Sequence, residues 1–499
     1  MRTSAYTIYV DLPEPGEQVL LVHGYSGAYD AVPKKVADYV RSLETRRPPK
    51  PLFGNWSPEP QVQRGHADPP SDEVIALLRT RGYLTDLSED EEEAYFCKVA
   101  EALHHRESTG SPAYILMVTY NCNLRCGYCF QDHMRTNPAF SHLLRRMDRQ
   151  MADRILSALP QIEAEHGVDS EDTRRSITFF GGEPLLASNR PIVEYIMTQV
   201  LARGPAKFNA ITNGTDLEAY EDLLKPQLLS ALQITLDGPS PEHDRRRIYA
   251  DGSGSSARIA ANITMALERG VRVEVRTNVD RNNIEFLPKL AEEIVAHGWD
   301  RYSNFVAYTA PIAPANDKTE RKTTMSSWEL DKRVDYMRNR DPLLHVISRP
   351  DDGLLSRIQG IFGQHEDAFA VFRSTFCGAH GRMYVFDPFG DIYACWEKTG
   401  DHRIRIGHLT PEGRVESELL QATWRSRTVA SNPVCRRCRF ALYCGGGCAI
   451  RAMQNSGDLF TNYCNGFGAR FRAIAAEAYI AHRSGTGDGA TRHAQAAPC

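Results

Sequence analysis

Apolar positions along this chain repeat with two periods, one suited to strands and one to helices. Residues 6–12 (YTIYVDL) and 18–24 (QVLLVHG) read as short strands, and 27–43 as a turn followed by a helix. A Pro-rich stretch over 45–61 reads as an exposed loop. Two helical patterns follow. Residues 71–85 open on the candidate caps Ser71 and Asp72, and 88–106 begin with an acidic turn, as the helix dipole favours. Together they predict a small α+β module over residues 1–105, with three short strands, three helices and a winged-helix-like pattern.

From about 111 to 310 the two periods alternate. Strand-like segments at 113–120, 176–182, 208–214, 232–238, 271–280 and 302–308 are separated by helix-like segments at 148–167, 190–204, 217–232, 257–270 and 284–298. Six such units predict an α/β fold with a parallel sheet, either a partial barrel or a doubly wound sheet. In both, chemistry sits at the C-terminal ends of the strands. YNCNLRC (120–126), GGEP (181–184), TNGT (212–215), LDGP (236–239) and RTNVD (276–280) all fall at those ends, which predicts one shared site. Residues 311–376 read as a linker with bridging helices. Residues 377–482 form a cysteine-rich region that runs into an amphipathic helix at 469–483, and 483–499 a small, polar, disordered tail.

Composition adds little until the cysteines are placed. The 499 residues suffice for two or three domains with their own cores, and 42% hydrophobic with 24% charged residues is ordinary for a globular protein. A net charge of −4 gives no general attraction to nucleic acid or to an anionic membrane. The opening residues lack the apolar core of a signal peptide and no run is long enough to span a bilayer, so the expectation is a cytoplasmic protein. There, thiols stay reduced, and twelve cysteines point to metal ligation rather than disulfides. Three lie at 122–129 and seven between 377 and 464; Cys97 reads as a core thiol within a helix and Cys499 as incidental.

Cys122, Cys126 and Cys129 have the spacing C-x3-C-x2-C. Three thiolates can hold three irons of a 4Fe–4S cube and leave the fourth open to a small molecule. A structural zinc would need a fourth ligand, for which His133 is the near candidate. With the aromatic Tyr128 before the last cysteine, and with GGEP, TNGT, LDGPSPEHDRRR (236–247) and RTNVD further on, residues 111–310 resemble the radical S-adenosylmethionine superfamily. The resemblance implies a partial (β/α)6 TIM-like barrel. It also implies that S-adenosylmethionine chelates the open iron, is cleaved by one electron, and yields a 5′-deoxyadenosyl radical that abstracts hydrogen. By motif it makes Gly181, Gly182 and Glu183 a cradle for the amino group, the Glu183 carboxylate pairing with it. It gives Asn213 and Thr215 the ribose or carboxylate, and Arg247 the carboxylate through its planar fork, against a solvated arginine as the alternative. Tyr128 and Asp237 complete the cofactor contacts, Asp237 with equal standing as a strand-end turn former.

In the C-terminal region, twelve residues separate Cys377 from Gly390 and four separate Gly390 from Cys395. Cys435-x2-Cys438-x5-Cys444-x3-Cys448 follow, then Cys464. This pattern resembles the SPASM extension of radical S-adenosylmethionine enzymes, which implies two auxiliary 4Fe–4S clusters and three clusters in all. Carried over by position, one takes Cys435, Cys438, Cys444 and Cys464, and the other Cys377, Cys395 and Cys448. The second set is one cysteine short, so either His380 or another group completes it, or its iron is open to a substrate thiolate.

SPASM enzymes act mostly on peptides. The leading expectation is a maturase of a ribosomally made precursor peptide, giving a thioether, C–C or C–O cross-link or another oxidative change. The module at 1–105 would grip the leader by strand addition, and a flavodoxin or ferredoxin would supply electrons. The alternative for that module is a cap over the barrel mouth. A second expectation is anaerobic sulfatase maturation, in which relatives carry an aspartate after the cysteine matching Cys395; here Trp396 and Glu397 stand there. Epimerisation lacks an isolated cysteine in 111–310 as hydrogen donor. A multi-cluster electron carrier is the non-enzyme alternative, and it would make no deoxyadenosine.

Overall fold

The first sheet follows from strict alternation in a short apolar strand. The computed structural model describes residues 1–13, 17–45, 67–171, 173–316, 318–349, 352–362 and 370–485. Strands β1 (Arg2–Thr3), β2 (Thr7–Asp11), β3 (Gln18–His23), β4 (Tyr29–Pro33) and β5 (Leu84–Thr85) lie near the N-terminus. β2, β3 and β4 make an antiparallel sheet in that order, and β1 pairs with β5. Val19 and Leu21 of β3 point to one side, where Val36, Val40, Leu78 and Tyr83 cover them. Leu20 and Val22 point to the other and share a core with Tyr6, Phe96, Phe362, Phe440 and Phe471. Cys97 packs at the edge of that core. The Pro-rich loop expected at 45–61 falls almost wholly outside the described residues, as does nearly all of the tail with Cys499.

That shared core changes the expected division of the chain. Among the described residues, those within 1–108, 351–381 and 425–485 form one compact unit, and those within 109–350 and 382–424 form the other. The helix Phe467–Arg483 buries Phe471, Ile474, Ala475 and Ala478 against the first unit's core rather than within a separate C-terminal domain.

In the second unit, β6 (Ala113–Thr119), β7 (Arg175–Gly181), β8 (Ala206–Thr212), β9 (Leu229–Thr235), β10 (Arg272–Val279) and β11 (Phe305–Pro311) pair in sequence, all parallel. β12 (Ile347–Ser348) extends the sheet in parallel beyond β11. Helices Arg149–Glu165, Arg190–Leu201, Ser256–Glu268 and Leu287–Ala296 return the chain between strands. This is the partial TIM-like barrel, and it places the ends of β6 to β10 on one rim. The sheet runs further on the side of β6. β13 (Met383–Phe386), every residue buried, pairs with it in parallel, and β14 (Asp391–Tyr393), β15 (Arg405–Leu409) and β16 (Val415–Ser417) follow antiparallel. Residues 382–424, expected in the cysteine-rich region, therefore cover an edge strand that would otherwise expose unpaired backbone.

One expected helix does not form. Residues 217–232 make only a 3-10 turn at Leu217–Tyr220, and β9 begins at Leu229. Pro226 interrupts any helix there, and pairing on both sides with β8 and β10 claims the apolar run.

Candidate functional site

The cysteine loop leaves the end of β6 and is laid directly on the turn after β7. Gly182 N donates to Thr119 O at 2.8 Å and Glu183 N to Asn121 O at 2.8 Å. A Cβ on Gly182 would collide with the carbonyl oxygens of Asn121 and Tyr120, so only glycine permits this approach. The paired glycines thus set where the loop begins.

The loop is then held by side chains from other strand ends. Asn213 Nδ2 donates to Asn123 Oδ1 at 2.8 Å, and Asn123 Nδ2 donates to Thr215 Oγ1 at 2.8 Å. Thr215 donates through N and Oγ1 to Asn213 Oδ1 at 2.9 and 2.8 Å. Asn316, from the region read as linker, donates to the carbonyls of Gly127 and Cys129, each at 2.9 Å.

Donors are aimed at the sulfurs. Leu124 N reaches Cys122 Sγ at 3.4 Å, Asn213 Nδ2 reaches it at 3.7 Å, and Arg135 Nη2 reaches Cys129 Sγ at 3.1 Å. Burial pushes the Cys126 thiol up to about 12, with Arg247 opposing, and burial likewise raises Cys122. Such thiols ionise when a metal takes them. Among the described residues, no three His, Cys, Asp or Glu side chains converge on a single-ion position. His133 packs its ring against Phe140 at 4.9 Å. The donor set fits a cube, whose cysteines each bind a separate iron and whose sulfurs accept N–H bonds.

The Glu183 carboxylate differs from expectation. It is buried in its own turn and accepts from Thr212 Oγ1 at 2.6 Å, Leu185 N at 2.8 Å and Asn213 N at 2.5 Å. It therefore clips the turns after β7 and β8 together rather than standing out as a partner for an ammonium. Burial raises its pKa to about 7, against the three hydrogen bonds.

A second chain of contacts starts at Tyr128. Its hydroxyl donates to Asp237 and accepts from Arg247 Nη1 at 2.7 Å and Asn278 Nδ2 at 3.2 Å. Asp237, fully buried, also accepts from Asn278 N at 3.1 Å. Arg247 is buried rather than solvated, and its Nε has no hydrogen-bond partner. The neighbouring Arg246 pairs instead with Asp280 at 3.0 Å. Asn123, Arg135, Asn278 and Asn316 were not anticipated. Only Asn123, inside the cysteine loop, and Asn278, inside RTNVD, stood within a motif.

The remaining cysteines fall in both units. Cys395 is in the second, at the N-terminal side of the turn Trp396–Lys398, and Trp396 stacks edge-on against Phe180 at 5.8 Å. The other six are in the first unit. Cys435 is buried, its thiol pushed well up by burial and then by Cys438, Cys464 and Cys444. Asn462 Nδ2 reaches Cys464 Sγ at 3.0 Å. Gly447 adopts a φ of 77°, and a side chain there would collide with the Tyr463 carbonyl. That close pass brings the loop after Cys444 beside the segment before Cys464. Cys377 precedes the turn Gly378–His380, where His380 is buried.

Comparison with known proteins gives the class. Residues 116–302 match the family model described as "Radical SAM superfamily". The chain therefore carries a radical SAM domain over those residues, a family that implies a 4Fe–4S cluster and S-adenosylmethionine. It is 23% identical over 72% of its length to a cysteine-type anaerobic sulfatase-maturating enzyme of Clostridium novyi, covering 94% of that protein. It is 22% identical over 70% of its length to the antilisterial bacteriocin subtilosin biosynthesis protein AlbA of Bacillus subtilis, covering 69% of it. In fold it is similar to anSMEcpe with bound AdoMet and a Cp18Cys peptide, with a TM-score of 0.54, 16% identity, and coverage of 76% of this chain and 99% of that one. Among the described residues, no helix is long and apolar enough to cross a membrane.

Proposed function

We propose that this protein is a cytoplasmic maturase that modifies a ribosomally made precursor peptide, with electrons from a flavodoxin or ferredoxin. The observation that carries it is the three-cysteine loop locked onto the Gly181–Gly182 turn, with Arg247 buried nearby and one of its nitrogens unpaired. Cys122, Cys126 and Cys129 would hold the first cluster. Bound there, S-adenosylmethionine supplies a deoxyadenosyl radical for hydrogen abstraction from a peptide residue. Backbone carbonyls of Gly181 and Gly182 would take the ammonium, since the Glu183 carboxylate is already engaged and its carbonyl accepts from Asn189 Nδ2 at 3.1 Å. Arg247 takes the carboxylate. Asn213 and Thr215, which keep the loop in place, would bond the ribose or carboxylate, and Tyr128 with Asp237 orients Arg247.

The C-terminal cysteines support two auxiliary clusters, one on Cys435, Cys438, Cys444 and Cys464, and one on Cys377, Cys395 and Cys448. The sheet β2-β3-β4 supports leader binding, because β4 is an edge strand of that sheet and can accept an added strand. Similarity to the bacteriocin biosynthesis protein favours modification of a ribosomally made peptide, for which a cross-link is the leading outcome. Similarity to the sulfatase-maturating enzyme favours formylglycine formation, but Trp396 stands where that chemistry would want an acid beside Cys395. Turnover with a candidate precursor tests the choice by mass spectrometry. Loss of two hydrogens from the peptide supports a cross-link. An oxidised Cys or Ser in a sulfatase peptide, with the precursor unchanged, would replace the reading.

A further inference from the structure

Arg427, in the first unit, is a buried cation with no carboxylate partner among the described residues. Only 3% of it is exposed. Nε donates to Leu459 O at 2.5 Å, Nη1 to Gly447 O at 3.1 Å, and Nη2 to Thr461 O at 3.0 Å and Gly446 O at 3.5 Å. Its described partners are thus four neutral carbonyls, with no Asp or Glu among them. Carbonyls satisfy the donors but leave the charge uncompensated.

The ionisable groups that act most strongly on Arg427 are cysteines. Burial lowers its pKa, while Cys435, Cys448, Cys377 and Cys444 oppose that effect. The geometry agrees: the point where a Gly446 Cβ would stand lies 3.7 Å from Cys435 Sγ and 4.0 Å from Arg427 Nη1. The gripped carbonyls are also placed with purpose. Gly446 and Gly447 lie between Cys444 and Cys448, and Leu459 and Thr461 lie just before Cys464. One guanidinium therefore ties together the chain segments that carry Cys444, Cys448 and Cys464.

We propose that Arg427 is a positioning residue for the auxiliary clusters and their internal counter-charge, which holds their ligand loops together and raises their reduction potentials. Each reduction adds negative charge to a cluster, and a fixed cation at short range in a dry environment favours that state. The proposal rests on the reading that the C-terminal cysteines hold 4Fe–4S clusters.

The test is anaerobic reconstitution of the full chain as wild type, R427K and R427Q, followed by iron analysis and an EPR-monitored redox titration. Wild type should hold about twelve irons, three cubes' worth. R427Q should show auxiliary midpoints displaced to more negative values, or lose auxiliary iron. R427K, which keeps the charge, should titrate closer to wild type than R427Q. The first cluster's own midpoint is the internal reference. Wild type holding only about four irons would overturn the auxiliary-cluster reading itself. Full iron in both wild type and R427Q with unshifted midpoints would overturn the role of Arg427 alone. Should R427Q yield no folded protein, the gain in melting temperature on cluster loading is compared between wild type and R427K. A larger gain in wild type supports the clamp, and equal gains contradict it.

Discussion

The two cysteine regions of this protein are held by different partners. The loop of Cys122, Cys126 and Cys129 is gripped by side chains from beyond it: Asn213 and Thr215, after β8, hold its own Asn123, and Arg135 and Asn316 reach it from further along the chain. The set at Cys435, Cys438, Cys444 and Cys464 is fastened from close by in the chain, through tight glycine turns, the Asn432 and Asn462 side chains, and one guanidinium whose described partners are carbonyls. The first arrangement gathers polar groups from several strand ends around its three sulfurs, as recognition of a bound small molecule requires. The second draws its contacts from the segments that carry the cysteines themselves, which makes it a local clamp.

Breaking the loop's seat should have the largest effect short of removing its cysteines. Gly182→Ala forces the turn off the Asn121 and Tyr120 carbonyls. We expect deoxyadenosine formation to fall by roughly a hundredfold, measured by chromatography after dithionite reduction, because a displacement of this kind misplaces the reacting atoms. The double variant Cys435→Ala with Cys438→Ala sharpens the contrast from the other side. It should lose about four irons yet still make deoxyadenosine, since the first cluster's loop is untouched.

Tyr128→Phe is next. It leaves buried Asp237 and Arg247 each short of a hydrogen bond, which costs about 1–3 kcal/mol. Calorimetric binding of S-adenosylmethionine to the reconstituted protein should weaken by about tenfold, within that range.

The smallest effect is a pH dependence in the barrel unit. Asp387 is buried, and burial and then Asp391 raise its pKa to about 7. Its folded value lies above its unfolded value of 3.8, so its contribution to stability is full below that value, is lost as pH rises from there through about 7, and is flat beyond. Asp387→Asn removes that loss. The melting temperature of the variant relative to wild type should therefore rise from pH 5 to pH 8, by scanning calorimetry; a constant difference would contradict the assignment.

Much of this was legible in the chain, for identifiable reasons. The parallel strands and their active rim could be read because β6 to β11 are short apolar runs bounded by turn motifs. The cysteine loop could be read because its spacing is local. What escaped was non-local. Residues 217–232 look helical alone, and only pairing with β8 and β10 makes their end a strand. The placement of 382–424 beside β6, and of the helix Phe467–Arg483 on the N-terminal sheet, depends on partners hundreds of residues away. At the site, GGEP marked Glu183 correctly as special, but its carboxylate serves the turn rather than an ammonium. Arg135 and Asn316 carry no motif, and only the folded chain brings them to Cys129 and the loop carbonyls.

The central claim is that the three-cysteine loop holds a cluster with one iron left for S-adenosylmethionine. The direct measurement is deoxyadenosine formation and iron content in the variant with Cys122, Cys126 and Cys129 all changed to Ala. The prediction is no deoxyadenosine, with about eight irons retained per chain. Retained cleavage of S-adenosylmethionine in that variant would contradict it.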